Sequence, residues 1–237
     1  MKSQASDKSI LTKENLYRVL FYLGGMAVLA LGIVLNTKSG LGVSPIISVS
    51  YTASELIGIN FGNATFAWYA TFVLIEIIIH TFQKKKNMII PDLLQLVVSL
   101  IFTRFMNVFV NLIPNFVTDF DGQFIGSMTG RIIILIIAII LTGIGAAVTL
   151  NMKIIPNPGD GIVAAIASVI KKSVGFTKNC VDISCVTISV LLGLLVRHSL
   201  IGIGIGTVMA MIGVGRVVAL WNKILKAPMA KLAGIEE

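Results

Sequence analysis

Two histidines, two cysteines and eleven acidic residues in 237 positions leave this chain short of the groups from which most active sites and metal centres are built. No H-E-x-x-H, no G-x-S-x-G and no cluster of metal-ligating side chains occurs, so neither catalysis nor a resident metal or cofactor is expected. The glycine run at 202–206 lacks a following Gly-Lys-Ser/Thr, which excludes a phosphate loop. Cys180 and Cys185 stand five apart on one expected helix and point to different sides, so they should not pair with each other. Charge is scarce as well: 13% of residues, against about 25% in soluble domains.

What fills the space is apolar. Hydrophobic residues make up 56% of the chain and the mean hydropathy is +0.93, which identifies an integral membrane protein in contact with the lipid bilayer. The net charge of +8 is carried by short lysine clusters between apolar runs, the pattern that sets membrane orientation and not one that binds nucleic acid. No A-x-A cleavage site follows the first apolar run, which therefore reads as a retained span.

In order, a polar tail at 1–16 is followed by a first unit at 17–113, an acidic loop at 114–128 holding Asp119 and Asp121, a second unit at 129–225 and a basic tail at 226–237. Long apolar runs at 17–36, 64–82, 88–113, 129–150, 179–196 and 200–225 can each cross about 30 Å of hydrocarbon. Two runs are too short for a comfortable crossing. One opens at Ser44-Pro45 and closes at Gly58; the other opens at Asn157-Pro158 and closes at Gly175. Both begin with a capping residue before a proline, which fits the first helical position because its missing N–H costs nothing there. The step along the chain from Pro45 to Pro158 is also the step from Gly32 to Gly145, so one unit is used twice.

Lysine placement chooses between arrangements. If all eight segments crossed from a cytoplasmic start, Lys84, Lys85 and Lys86 would lie outside and the acidic loop inside, against the positive-inside rule. If the short segments are re-entrant, the lysine clusters and both termini become cytoplasmic, leaving only Lys38, Arg131 and Arg197 outside. The expected fold is thus all-α and polytopic, with two inverted repeats, each of three transmembrane helices plus one short re-entrant helix. Eight crossings are the alternative, since an anchored short helix can span a thin bilayer. The expected location is the bacterial inner membrane, multi-pass.

Two helix starts meeting at the midplane would present free N–H groups and partial positive charge to an anion or a zwitterion. On that reading the site residues are Ser44, Pro45, Asn157, Gly159, Asp160 and Gly161, joined by Arg104 and Arg216 from mid-span positions and by Asp182. Asp160 is the expected partner of the two arginines. Glu76 and His80, four apart near a helix end, read as a snorkelling local contact with a proton pair as the alternative. Gly202, Gly204 and Gly206 read as a packing face, or as a helix break that admits a ligand to the backbone.

Leu41-Gly42-Val43-Ser44-Pro45, Pro158-Gly159-Asp160-Gly161, Asp182 and Gly204-Ile205-Gly206-Thr207, in that order, resemble the YczE/YyaS/YitT group of bacterial membrane proteins over most of residues 18–220. That resemblance implies a small inner-membrane protein and supplies no catalytic residues. The leading expectation is a transporter or channel for a small anionic or zwitterionic solute. The alternatives are a substrate-binding subunit of a multi-component importer that needs an energising partner, and a scaffold or regulator without a ligand; a homo-oligomer fits each.

Overall fold

A computed structural model describes residues 13–235; the polar tail expected at 1–16 lies outside them as far as residue 12. Eight α-helices follow in order: α1 (Lys13–Lys38), α2 (Ser48–Ile57), α3 (Phe61–Phe82), α4 (Ile89–Leu112), α5 (Met128–Asn151), α6 (Pro158–Ile170), α7 (Val174–Arg197) and α8 (Ile205–Leu232). Among the described residues there is no strand. Six helices are long and apolar enough to cross a membrane, and α2 and α6 are not among them. A single 3-10 turn, Pro45–Ile47, leads into α2 and brings that stretch to the length of α6.

Local chemistry sets these boundaries. Asn60 caps α3 by accepting from the Asn63 amide, and Ser173 caps α7 by accepting from Phe176. Asn60 and Ser173 are separated by the same step as Pro45 and Pro158, so the two bonds are equivalent. Gly58 and Lys171, again one such step apart, close the two short helices in the left-handed conformation. The helix ends Lys38 and Asn151 keep the separation too. Two expected boundaries are corrected. The last span starts at Ile205, because residues 200–204 run as irregular backbone, and the tail expected from 226 continues α8 as far as Leu232, carrying Pro228 within the helix.

The bundle is built on α1 against α5, crossing antiparallel. A methyl group on Gly32 would stand 2.5 Å from the Thr142 amide nitrogen, and one on Gly145 would stand 2.3 Å from the Leu29 nitrogen, so as α1 advances the contact recedes along α5. Neither distance leaves room for any side chain but hydrogen, which is how small residues let membrane helices meet. Two arginines fasten the ends of this pair. Arg18 donates from Nε to Met152 O and from Nη2 to Lys153 O, both at 2.7 Å. Arg131, one such step along the chain from Arg18, does the same to Ser39 O and Gly40 O at 2.9 and 3.3 Å. Each guanidinium satisfies carbonyls that α5 or α1 leaves open at its C-terminal end.

The remaining elements fall at one end of the bundle or the other. Lys38, Glu55, Phe61 and Asn115 line one cavity of about 160 Å³, so α2 finishes at the end where α1 finishes. Gln83, after α3, bonds Ser168 of α6 at 3.0 Å, and those two ends lie together at the other side. The α8 start is tied to the loop after α1: Val43 N–H donates to Gly202 O at 2.8 Å and Gly206 N–H to Leu41 O at 2.7 Å. In the α4–α5 loop, the Thr118 hydroxyl and then the Asn115 amide donate to Asp119 and hold its carboxyl below the usual range. Met26, Ala30, Val34, Phe102 and Met106 form the dry centre, while residues such as Leu195 and Phe82 face outward, where lipid solvates them.

Candidate functional site

Four of the polar residues that the fold buries, Glu76, His80, Asp92 and Gln95, gather beside α6. Glu76 and His80 stand four apart on α3, and Asp92 and Gln95 three apart on α4, so each pair shares a helix face and the two faces meet as rungs. Gln95 Nε2 donates to Glu76 Oε2 at 2.6 Å. His80 Nδ1 lies 2.7 Å from Asp92 Oδ2. All four side chains are withdrawn from the surface, with exposures of 1, 6, 1 and 2% for Glu76, His80, Asp92 and Gln95. This corrects the expected snorkelling of Glu76 and His80, whose partners come from another helix.

Gly161 brings α6 onto the inner rung. A methyl group there would stand 2.5 Å from Gln95 Oε1 and 2.7 Å from Glu76 Oε2, so only glycine permits the approach. Between α3, α4 and α6 lies a cavity of about 450 Å³, lined by Glu76, His80, Asp92, Gln95 and Gly161, with Lys85 and Asn87 at its rim. That volume falls in the range of small-molecule sites. Glu76 Oε1 and Gln95 Oε1 are buried with no hydrogen-bond partner. Leaving such acceptors unmatched costs about 1–3 kcal/mol apiece.

The other side of the α6 start faces α7. Lys178 Nζ pairs with Asp182 Oδ2 at 2.9 Å, and Asp160 lies within electrostatic reach of both. The two short-helix starts do lie side by side: a methyl group on Gly159 would meet Ile46 Cγ1 at 3.2 Å. Ser44 and Pro45 are buried there, although the Ser44 side chain caps nothing.

Two expectations about this region are overturned. Arg104 and Arg216 do not join Asp160: both are exposed, Arg104 bonds Asn63 Oδ1 at 2.9 Å, and Arg216 lines an open groove between α5 and α8. Depth along a span says nothing about which face a side chain occupies, and Lys178 takes the role expected of an arginine. The α6 half of the anion cradle fails for a different reason. Gly159 N–H donates to Asn157 Oδ1, and Asp160 N–H and Gly161 N–H donate to Asn157 O, so the first-turn amides of α6 are already used.

Residues 16–223 match the profile of a family of unknown function, DUF6198. The chain belongs to that family. No curated protein and no solved structure matches it. The likeness to the YczE/YyaS/YitT group rests on its short motifs alone, so family membership brings no substrate and the site has to be read from its own chemistry. Asp92 and Gln95 are the residues that sequence reasoning misses. Asp92, close behind the triple lysine, looks like an ordinary acid in a first helical turn. Its one signal is the Asp92-x-x-Gln95 spacing at the start of an otherwise apolar span.

Proposed function

We propose that the protein is a membrane carrier or channel for a small polar solute, without enzymatic activity, and that the solute occupies the cavity between α3, α4 and α6. One observation carries this reading: two carboxylates, a histidine and an amide are buried around about 450 Å³ of open space within a bundle of membrane-spanning helices. Ionisable groups buried between membrane-spanning helices are expensive and belong to pathways or partners.

The architecture that goes with it is a pair of inverted repeats, each of three crossings and one re-entrant helix. The constant separation of paired caps and helix ends supports it, as do the antiparallel α1–α5 crossing and the paired arginine bonds to opposite helix ends. Lysines at 84–86, 153, 171 and 172 support an orientation with the Arg18 end, the cavity rim and both termini on the cytoplasmic side of a bacterial inner membrane.

Osmotic shrinkage of liposomes holding this protein alone tests the reading. Small amines, amides, amino acids and carboxylates are supplied in turn. A faster recovery for one class, lost in Glu76→Gln, supports it; recovery no faster than in empty vesicles for every class refutes autonomous transport. Labelling of single cysteines placed at 60 and 175 checks the topology, 60 being reached only from outside and 175 only from the cytoplasm. A second reading, a binding subunit that works with an energising partner, is favoured by α8. Its buried residues are confined to Gly206, Thr207, Ala210, Met229 and Ala230, and one side of its middle, with Arg216, is exposed. Solute binding without flux is its signature.

A further inference from the structure

We propose that the cavity between α3, α4 and α6 selects a small organic cation with at least two N–H donors, an alkylammonium or a guanidinium, received by Glu76 Oε1 and Gln95 Oε1. The inference deepens the carrier reading by naming its substrate class.

The hydrogen-bond inventory of the inner rung leads there. Glu76 can accept through both oxygens, and the one bond it receives, from Gln95 Nε2, engages Oε2. That bond engages the Gln95 amide nitrogen, and Gln95 Oε1, beside Gly161, is left as a second acceptor without a partner. Both side chains are more than nine-tenths buried, beside the cavity that they line. A ligand that satisfies this rung must bring donors, and two unpartnered acceptors on hydrogen-bonded neighbours suit a group with several N–H bonds.

Charge points the same way. Glu76 and Asp92 face the cavity from α3 and α4, and His80 is engaged with Asp92. The one lysine among the residues lining the cavity is Lys85, an exposed residue of the rim. The α6 wall contributes Gly161, Ala164, Ala165 and Ser168, which carry no charge. An anion entering here would meet two acidic side chains and find the α6 amides already bonded to Asn157.

Titration calorimetry of the intact protein in nanodiscs decides it, with n-butylammonium, n-butylguanidinium and n-butyrate as probes at fixed ionic strength. Saturable one-to-one binding of a cationic probe and none of butyrate is expected. Glu76→Gln should weaken that binding by about tenfold or more, as loss of a charged acceptor implies, whereas Glu55→Gln, at the far end of the bundle, should not change it. Gln95→Met provides the same readout should Glu76→Gln fail to fold. Butyrate binding, cation binding unchanged in the Glu76 and Gln95 variants, or sodium chloride occupying the site as well as the amines do would each overturn the assignment. Cation binding with no flux in liposomes would retire the carrier reading and leave the site; flux of another solute class with no cation binding would retire the site and leave the carrier.

Discussion

Two glycine-to-alanine substitutions with similar steric overlap should fail in opposite ways. At Gly145 the added methyl would stand 2.3 Å from the Leu29 nitrogen and 2.7 Å from its Cα, atoms of a helix backbone that cannot turn aside. Restoring an ordinary contact of about 3.4 Å requires α1 and α5 to part by roughly 1 Å along the crossing that organises the bundle, and interiors packed at crystal density do not absorb that locally. Overpacking costs about 1–3 kcal/mol and occasionally more. At Gly161 the methyl would meet the tips of Gln95 and Glu76 at 2.5 and 2.7 Å, side chains that can swing into the cavity beside them. The loss is their mutual hydrogen bond, worth about 1.5–3 kcal/mol for a charged acceptor, offset in part by the roughly 1 kcal/mol that alanine gains over glycine in a helix. Gly161→Ala should therefore keep most of its stability and lose probe binding; Gly145→Ala should lose folded yield and thermal stability. Size-exclusion profiles and melting in detergent, read beside calorimetry, separate the two. Full stability of Gly145→Ala would refute the α1–α5 approach, and undiminished binding by Gly161→Ala would refute the contact between α6 and the inner rung.

Arg18→Ala should destabilise by about 2 kcal/mol through loss of two charge-assisted bonds to the end of α5, and Arg131→Ala by less, its bonds being longer. The two losses should add in the double variant, and Arg18→Lys should not rescue, because a point charge cannot serve both carbonyls as a planar fork does; denaturant midpoints measure this. Asp119, depressed by Thr118 and Asn115, stabilises its loop above the unfolded carboxyl value of about 3.9 and stops doing so as pH falls through the lower folded value. Amide exchange at Asn115 should rise on that descent, and Asp119→Asn should exchange faster already at neutral pH and show no such step.

How far the sequence can be read divides along the line between local and tertiary information. The starts at Pro45 and Pro158 are legible because a cap followed by proline is a property of two adjacent residues. Six long apolar runs and two short ones are legible from length alone. Hydropathy starts the last span too early, at Leu200, since the irregular backbone of 200–204 accepts bonds from the Val43 amide and the Thr52 hydroxyl, far away in sequence. The same limit governs the site. Glu76 and His80 are visible as a pair, but their partners Gln95 and Asp92 follow only from the packing of α4 on α3. Depth in the span singles out Arg104 and Arg216, when the deciding variable is helix rotation. Nor does the capping role of Asn157 yield a count of free amides, because composition does not say how many donors one asparagine satisfies.

The arginine clasps also impose an order on biosynthesis. When Arg131 leaves the ribosome, its acceptors at Ser39 and Gly40 have long been made, and that clasp can shut at once. Arg18 must wait for carbonyls 134 and 135 residues downstream, a delay of roughly ten seconds at translation rates of about 5–20 residues per second. Throughout that interval the Arg18 end of α1 stays unfastened, and it closes only when the chain has grown past the end of α5.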